Sequence, residues 1–170
     1  VLALYADVPG FFDQDEMKSL RELTGNVSFA LEHIERQEKL DYLAWFDPLT
    51  GLANSSLFRE RVAQHISAAA RGKAAVLVFD VSRFKSVNES HGHTVGDALL
   101  RVAARRVASC VRETDSLARL DGDSFAIILA DLDGTEAVEA LATRLRAALG
   151  RPFRIGDTEV EVTASIGITV

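Results

Sequence analysis

The chain has 170 residues, of which 48% are hydrophobic and 26% are charged, and its formal net charge is −6. This balance is typical of a soluble globular domain that is large enough to bury a core. The negative charge argues against a general nucleic-acid binder, which would carry a basic face. The chain has one cysteine and no apolar run of membrane-spanning length, so we expect no disulfide framework and a cytoplasmic location.

The N-terminal part of the sequence predicts a short strand followed by one long helix. Residues 1–6 form an apolar run that is typical of a strand. Asp13 or Asp15 can cap the helix, and apolar residues recur every three or four positions through 20–34 and again through 40–46. A single stripe of this kind stays exposed on an isolated helix, so the helix either packs on a domain or pairs with a second copy.

The rest of the sequence alternates between predicted helices and strands. In chain order we predict a helix capped by Asn54 or Ser55 and ending near 70, a strand over 74–81, a polar loop over 82–96 that can include one helical turn, a helix over 95–111 capped by Thr94, strands over 116–120 and 124–130, a helix over 135–149, and strands over 152–155 and 159–170. Asp121-Gly122, between two of these strands, is a strong signal for a two-residue hairpin turn. Elements in this order predict an α/β (α+β) sandwich with mixed strand directions.

Two aspartates are placed where they could bind a metal ion. Asp80 ends the most hydrophobic predicted strand, and Asp123 follows the hairpin signal. The two can meet at one edge of the sheet if their strands are neighbours. Two carboxylates with phosphate oxygens and water suit Mg²⁺ and phosphoryl or nucleotidyl transfer. The alternative is that Asp80 caps the next turn and Asp123 is a solvated turn residue.

Five motifs together carry a resemblance to a known family. They are DPLTGLAN at 47–54, FDVSRFKSVN at 79–88, GHTVGD at 92–97, RLDGDSF at 119–125 and ASIGI at 164–168. Because they resemble the motifs of GGDEF domains in both order and spacing, the chain is identified as a member of that family from about Asp47 to Val170. The resemblance implies a nucleotidyl-cyclase-like mixed central sheet flanked by helices, and a role in bacterial cyclic-di-GMP signalling.

The resemblance also implies a nucleotide site with a divalent cation. Mg²⁺ or Mn²⁺ would be held by the carboxylates of Asp80 and Asp123 and by the carbonyl of Val81. Asn88 and Asp97 correspond to the family's guanine-reading pair; without the resemblance they would be interpreted as capping and turn residues. The full set of residues implied for nucleotide binding is Asn88, Asp97, Phe84, Lys85, Asp121 and Gly122.

Several positions depart from the family pattern. Asp121 stands where the family has its first signature glycine, and its carboxylate would repel phosphates. Ser124 replaces a glutamate implicated in activating the attacking 3′-hydroxyl or in metal binding, and a hydroxyl cannot act as a base by itself. Ser82 replaces a common acidic residue, and Ser55 replaces an arginine. We therefore expect the catalytic positions Asp123 and Ser124 to support little or no cyclase activity.

Arg112 and Asp115 form an RxxD motif that begins nine residues before Asp121. This placement resembles the family's inhibitory site for cyclic-di-GMP. An arginine can stack on guanine and hold phosphate, and an aspartate can pair with a guanine edge. The alternative is a solvated charge pair with no ligand.

The resemblance predicts the domain organisation and three alternative functions. Residues 1–46 are predicted to be the end of a GAF-like sensor domain and a long signalling helix, and residues 47–170 a GGDEF domain without its C-terminal helix. The favoured function is a degenerate domain that binds GTP with Mg²⁺, or cyclic-di-GMP, and regulates a linked output domain such as an EAL phosphodiesterase. The alternatives are an active diguanylate cyclase that uses two GTP molecules, and a catalytically dead dimerisation scaffold. A homodimer through the long helix is also expected.

Overall fold

The computed structural model describes residues 3, 5, 13–68, 73–132 and 134–169. The chain divides into two compact units, Val1–Tyr42 and Leu43–Val170. The strand predicted over 1–6 falls almost entirely outside the described residues. None of the helices in the described part of the chain combines the length and the hydrophobicity needed to span a membrane.

The described residues form five helices and six strands. In chain order these are α1 (Gln14–Trp45), α2 (Ser55–Ala68), β1 (Lys73–Val81), α3 (Phe84–His91), α4 (His93–Ala108), β2 (Ser116–Asp121), β3 (Ser124–Leu132), α5 (Glu136–Leu149), β4 (Phe153–Ile155), β5 (Thr158–Val160) and β6 (Ala164–Thr169). The predicted long helix, the strands β1 to β3 and the helix α5 are confirmed within a few residues of the expected bounds.

Helix α1 begins with reciprocal hydrogen bonds between two acidic residues. The N–H of Glu16 donates to Asp13 Oδ1 at 2.7 Å, and the N–H of Asp13 donates to Glu16 Oε2 at 3.0 Å. This confirms Asp13 as the cap. Within the described structure no residue of α1 is buried, and Leu23, Val27 and Ile34 are each at least 50% exposed. The helix therefore presents an uncovered apolar stripe.

Asn54 joins the end of α1 to the start of α2. Its Nδ2 donates to the carbonyl oxygens of Leu43 at 3.3 Å and Ala44 at 3.0 Å. Its Oδ1 accepts hydrogen bonds from the backbone N–H groups of Ser56 at 2.9 Å and Leu57 at 3.1 Å. One side chain thus satisfies terminal groups of both helices, and Asn54 is confirmed as the cap of α2.

The central sheet has four strands in the order β2-β3-β1-β6, and β4 and β5 form a separate hairpin. Every neighbouring pair in the central sheet is antiparallel. Parallel pairing among the described residues is limited to an isolated bridge between Ala53 and Ala118. Strands β1 and β2 point the same way with β3 between them, which is the split β-α-β arrangement. The predicted α+β class is confirmed, with less mixing of strand directions than we expected.

Residues 82–96, predicted as a polar loop, contain α3 and the start of α4. Because α4 begins at His93, Thr94 lies inside this helix and the prediction that it caps the helix is wrong. Gly92 separates the two helices at φ 82°, a backbone conformation that favours glycine. The prediction failed because α3 is mostly polar and buries only Val87, which leaves little periodic signal.

The strand predicted over 159–170 is divided between two sheets, because β5 pairs with β4 while β6 pairs with β1. Residues 161–163 belong to neither strand. Val160 and Val162 are both buried in the core, so the alternation of inward and outward side chains continues across the break. The sequence pattern therefore could not reveal that the pairing partner changes.

The central sheet separates two clusters of buried residues. The larger one lies under α4 and α5 and contains Phe79 and Phe125, whose rings stack with centroids 5.4 Å apart. The smaller one lies under α2 and contains Phe58 and Ala126. Side chains alternate between the two faces along β1, so the residue after Phe79 faces away from the larger cluster. This places the carboxylate of Asp80 at the exposed end of the strand.

Candidate functional site

The carboxylate of Asp80 lies at the end of β1 between two serines on the neighbouring strands. Asp80 is paired in register with Ser124 of β3 and with Ser165 of β6. The Ser124 hydroxyl donates a hydrogen bond to Asp80 Oδ1. No side chain caps α3, whose N-cap residue is Arg83. The metal role of Asp80 and the alternative that it caps the turn after β1 both stay predictions.

The signature hairpin turns through Gly122 and Asp123, one residue later than predicted. Asp121 is the last residue of β2 and pairs with Ser124, the first residue of β3. Gly122 has φ 47° and occupies the first central position, where a type II′ turn requires a positive φ. Asp121 and Gly122 are exposed, so the carboxylate of Asp121 lies on the surface at the end of its strand.

The backbone of the hairpin contacts the end of β1. The N–H of Val81 donates to the carbonyl oxygen of Asp123 at 3.2 Å. This bond brings together the residues expected to hold a metal ion, Asp80, Val81 and Asp123. The described residues contain no group of three or more His, Cys, Asp or Glu side chains that could hold a metal. A donor set of two carboxylates and a carbonyl still fits Mg²⁺, which takes its other ligands from phosphate and water.

Arg119 links the signature hairpin to the first motif of the domain. Its Nη1 donates to both carboxylate oxygens of Asp47, each at 3.0 Å. Its Nε and Nη2 donate to the carbonyl oxygen of Gly122 at 3.0 and 2.6 Å. The side chains of Arg119 and Asp47 are only 13% and 16% exposed. The planar guanidinium, with its several donors, holds both partners at once.

The charge of Asp47 is stabilised by its neighbours. Burial acts to raise the pKa of Asp47, but hydrogen bonds from Thr50 and Arg119 outweigh it and hold the pKa below its ordinary value. Thr50 donates to Asp47 Oδ1 from its N–H at 2.9 Å and from its hydroxyl at 2.6 Å. Asp47, Thr50 and Arg119 all lie within the sequence motifs, but the motifs alone predict no role for them. Asp47 and Arg119 lie 72 positions apart in the chain, and this separation hides the contact from any local pattern.

Asn88 and Gly96 pack α3 closely against α4. A Cβ atom at Gly96 would overlap Asn88 Oδ1 and would lie 3.2 Å from the ring of Phe84. Among the described residues, Asn88 Oδ1 is the buried side-chain atom that lacks a hydrogen-bond partner. An unpaired buried acceptor costs about 1–3 kcal/mol, so an N–H donor at this position would be favourable. Asp97 follows Gly96 directly and is half-buried.

The segment after β1 carries exposed basic groups. Lys85 forms an ion pair with Glu89 at 3.8 Å on the surface of α3, where the two side chains are 91% and 65% exposed. An exposed pair of this kind contributes little to stability, so the ammonium group remains accessible to a ligand. Arg83, just before α3, adopts a left-handed conformation with φ 66°. Phe84 packs against the larger core cluster.

Arg112 and Asp115 form a tight turn between α4 and β2. The N–H of Arg112 donates to Asp115 Oδ2 at 2.8 Å, and the N–H of Asp115 donates to the carbonyl oxygen of Arg112 at 3.1 Å. One carboxylate oxygen of Asp115 is thus committed to the turn. These hydrogen bonds give the motif a structural role, Arg112 is exposed, and the binding of cyclic-di-GMP stays a prediction.

Comparison with known proteins places the chain in a family. The sequence model of the family described as diguanylate cyclase, GGDEF domain, matches residues 44–170. The chain is 38% identical to the cyclic di-GMP phosphodiesterase PdeR of Escherichia coli and 39% identical to the bifunctional diguanylate cyclase/cyclic di-GMP phosphodiesterase MucR of Pseudomonas aeruginosa. These alignments cover 82% and 89% of the chain but 21% and 22% of the two relatives. The chain thus spans about a fifth of their length.

Solved structures support the same assignment. The GGDEF domain of YfiN, also called TpbB, from Pseudomonas aeruginosa is 36% identical, with a TM-score of 0.70 over 72% of this chain and 73% of that one. The coiled coil and GGDEF domain of DgcB from Caulobacter crescentus, solved in complex with c-di-GMP, is 25% identical, with a TM-score of 0.72 over 91% and 82% of the two chains. The chain belongs to the GGDEF domain family of cyclic-di-GMP signalling.

Proposed function

We propose that this GGDEF domain binds GTP with a divalent cation, or cyclic-di-GMP, and regulates a linked output domain while making little or no cyclic-di-GMP itself. The observation that carries this proposal is the hydrogen bond from Ser124 to Asp80. It puts a neutral hydroxyl where the family resemblance implies an acidic side chain. Serine cannot take the proton of an attacking 3′-hydroxyl without a base of its own. Loss of a positioned base lowers a rate by about 10²–10⁴.

The residues proposed to hold the nucleotide are retained. Asp80, Asp123 and the carbonyl of Val81 would hold Mg²⁺ or Mn²⁺, which supplies charge neutralisation at phosphate when it is bound. Asp97 would accept hydrogen bonds from the N1–H and N2–H groups of guanine, and Asn88 can both accept and donate. Asn88 packs against Gly96, the residue before Asp97, and this proximity supports a shared role for Asn88 and Asp97.

The phosphates would meet groups of both signs. Lys85 is exposed on α3 and would attract phosphate, and Phe84 would position the loop before it. Asp121 is exposed beside Gly122, where its carboxylate would repel phosphate at short range. Attraction by Lys85 supports weak binding of a triphosphate. Repulsion by Asp121 opposes rapid reaction of that triphosphate, because it acts on the phosphate groups that must move in the reaction.

The rest of the protein is proposed from its relatives, because the chain spans only part of their length. PdeR and NbdA are both named as cyclic di-GMP phosphodiesterases, which supports an EAL-type output domain in the same polypeptide. A GAF-like sensor before α1 and a homodimer through α1 are also proposed. The uncovered apolar stripe at Leu23, Val27 and Ile34 supports the dimer. Glutamate at Val27 would then shift the sedimentation of the full-length protein toward the monomer.

Calorimetric titration of the full-length protein tests the binding proposal. We expect GTP to bind in the presence of Mg²⁺ and cyclic-di-GMP to bind separately. Asp97→Ala should weaken GTP binding by about tenfold, the equivalent of one charge-assisted hydrogen bond, and should leave cyclic-di-GMP binding at the RxxD turn unchanged. Arg112→Ala should show the opposite selectivity. If neither nucleotide binds the native protein, the scaffold hypothesis is favoured and the proposal is wrong.

A further inference from the structure

Hydroxyl groups from both neighbouring strands flank the carboxylate of Asp80. Ser124 of β3 and Ser165 of β6 are its cross-strand partners. The Ser124 hydroxyl donates to Asp80 Oδ1, and the Ser165 hydroxyl lies 3.4 Å from the hydroxyl of Ser82. Asp80 thus has a serine opposite it on each neighbouring strand, and one of its oxygens already accepts a hydrogen bond.

Two of these serines, Ser82 and Ser124, occupy positions where the family resemblance implies acidic residues. Side chains directly opposite each other in an antiparallel pair have Cβ atoms about 4.5–5.5 Å apart. A carboxylate at position 124 would therefore face Asp80 at short range, and the two like charges would need a cation between them. A hydroxyl removes that repulsion and satisfies Asp80 without any cation.

We propose that Ser124 determines the metal requirement of the site by competing with a divalent cation for Asp80 Oδ1. The Ser124 hydroxyl holds this oxygen in a hydrogen bond that a cation must displace. The consequence is a domain that binds the divalent cation, and GTP together with it, more weakly than a domain in which Asp80 Oδ1 is free. The inference about nucleotide binding rests on the proposed function, whereas the competition for Asp80 can be measured with the metal ion alone.

The experiment measures Mn²⁺ binding to the full-length protein by electron paramagnetic resonance, without nucleotide. Ser124→Ala frees Asp80 Oδ1 and should tighten Mn²⁺ binding by roughly three- to tenfold, the range expected for one displaced hydrogen bond. Ser124→Glu adds a ligand and should tighten it further. Ser124→Thr keeps the hydroxyl and should resemble the native protein, as should Ser165→Ala, which removes a hydroxyl that lies against Ser82 Oγ at 3.4 Å.

A second arm compares nucleotide binding with and without the cation. Mn²⁺ should strengthen the binding of a non-hydrolysable GTP analogue to the native protein, but by less than it strengthens binding to Ser124→Ala. Ser124→Glu should lose most of this affinity in EDTA and regain it in Mn²⁺, because its added charge needs the cation.

The outcomes separate the two proposals. Equal or weaker Mn²⁺ binding by Ser124→Ala, or no Mn²⁺ binding by any variant, would overturn the inference about Ser124. Failure of the native protein to bind the GTP analogue under either condition would instead overturn the proposed function. In that case the Mn²⁺ measurements still decide whether Ser124 competes for Asp80.

Discussion

The base and the tip of the signature hairpin differ in how closely they keep the family pattern. At the base, Arg119 holds the carboxylate of Asp47 in an ion pair whose side chains are largely buried. At the tip, Asp121 and Ser124 stand where the family resemblance implies a glycine and an acidic residue. The difference indicates that the interactions that position the hairpin are separable from the side chains that perform the chemistry.

The base and the tip of the hairpin can differ in how closely they keep the family pattern, because their side chains are buried to different extents. Removing one partner of a buried ion pair leaves an uncompensated charge, so the base tolerates little change. Asp121 is exposed and Ser124 is half-buried, so a change there alters charge and chemistry with little effect on folding. A change at the proposed catalytic positions should therefore leave the shape of the proposed nucleotide site intact.

The largest predicted effect on stability comes from breaking the base. Arg119→Ala should lower the free energy of unfolding by about 3 kcal/mol, because it leaves Asp47 buried without its counterion. The matched change at the tip, Asp121→Ala, should change it by less than about 0.5 kcal/mol. Urea denaturation of both variants measures the difference. Similar losses from the two would show that base and tip are not separable.

A second prediction concerns the packing of the proposed guanine site. Gly96→Ala should destabilise the domain by about 1–3 kcal/mol, because the new methyl group overlaps Asn88 Oδ1, and it should also weaken GTP binding. Gly25→Ala is the control, since a Cβ atom at Gly25 in α1 meets nothing within 4 Å. That change should stabilise the helix by up to about 1 kcal/mol. Thermal melting and calorimetry of the two variants provide the comparison.

The charge state of Asp47 gives a smaller, pH-dependent effect. The pKa of Asp47 in the folded domain lies below the ordinary value of 3.8. Its contribution to stability is therefore complete above that ordinary value and is lost as the pH falls through the lower folded value. Native protein and Asp47→Asn should differ most at neutral pH and converge below about pH 4. A difference that stays constant in acid denaturation curves would argue against the charged pair.

The smallest predicted effect on stability is at the exposed ion pair of α3. Lys85→Ala should change the free energy of unfolding by less than about 0.5 kcal/mol, because Lys85 and Glu89 are both largely exposed. The same change should weaken GTP binding if the ammonium group contacts phosphate. Glu89→Gln removes the partner and keeps the ammonium group, so it should leave GTP affinity unchanged or slightly higher.

Some features of the fold and site could be predicted from the sequence because their signals are local. Each of these signals lies within a few residues of sequence. They are the apolar run of β1, the hairpin signal before β3 and the capping residues Asp13 and Asn54. Their combination was enough to expect Asp80 and the hairpin at one edge of the sheet. The residue assignments for nucleotide and metal came from the family motifs and stay predictions.

Other features depend on contacts that no local pattern contains. The pairing of Arg119 with Asp47 joins residues far apart in the chain, and the bond from Ser124 to Asp80 depends on strand register. Gly92 divides a polar stretch into two helices through its backbone conformation, which side-chain periodicity does not report. The consecutive strands β5 and β6 pair with different strands, but the alternation of inward and outward side chains continues from one to the other. The sequence pattern therefore did not reveal the change of pairing partner.

We propose that this domain keeps a nucleotide site in which Asp121 and Ser124 prevent the formation of cyclic-di-GMP from GTP. The most direct test incubates the full-length protein with GTP and Mg²⁺ and separates the nucleotides by chromatography, beside a variant that carries Asp121→Gly and Ser124→Glu. We predict no cyclic-di-GMP from the native protein and a gain of about 10²–10⁴ in its rate of formation by the variant. If the native protein makes cyclic-di-GMP efficiently, Asp121 and Ser124 do not prevent the reaction, and the domain is an active diguanylate cyclase.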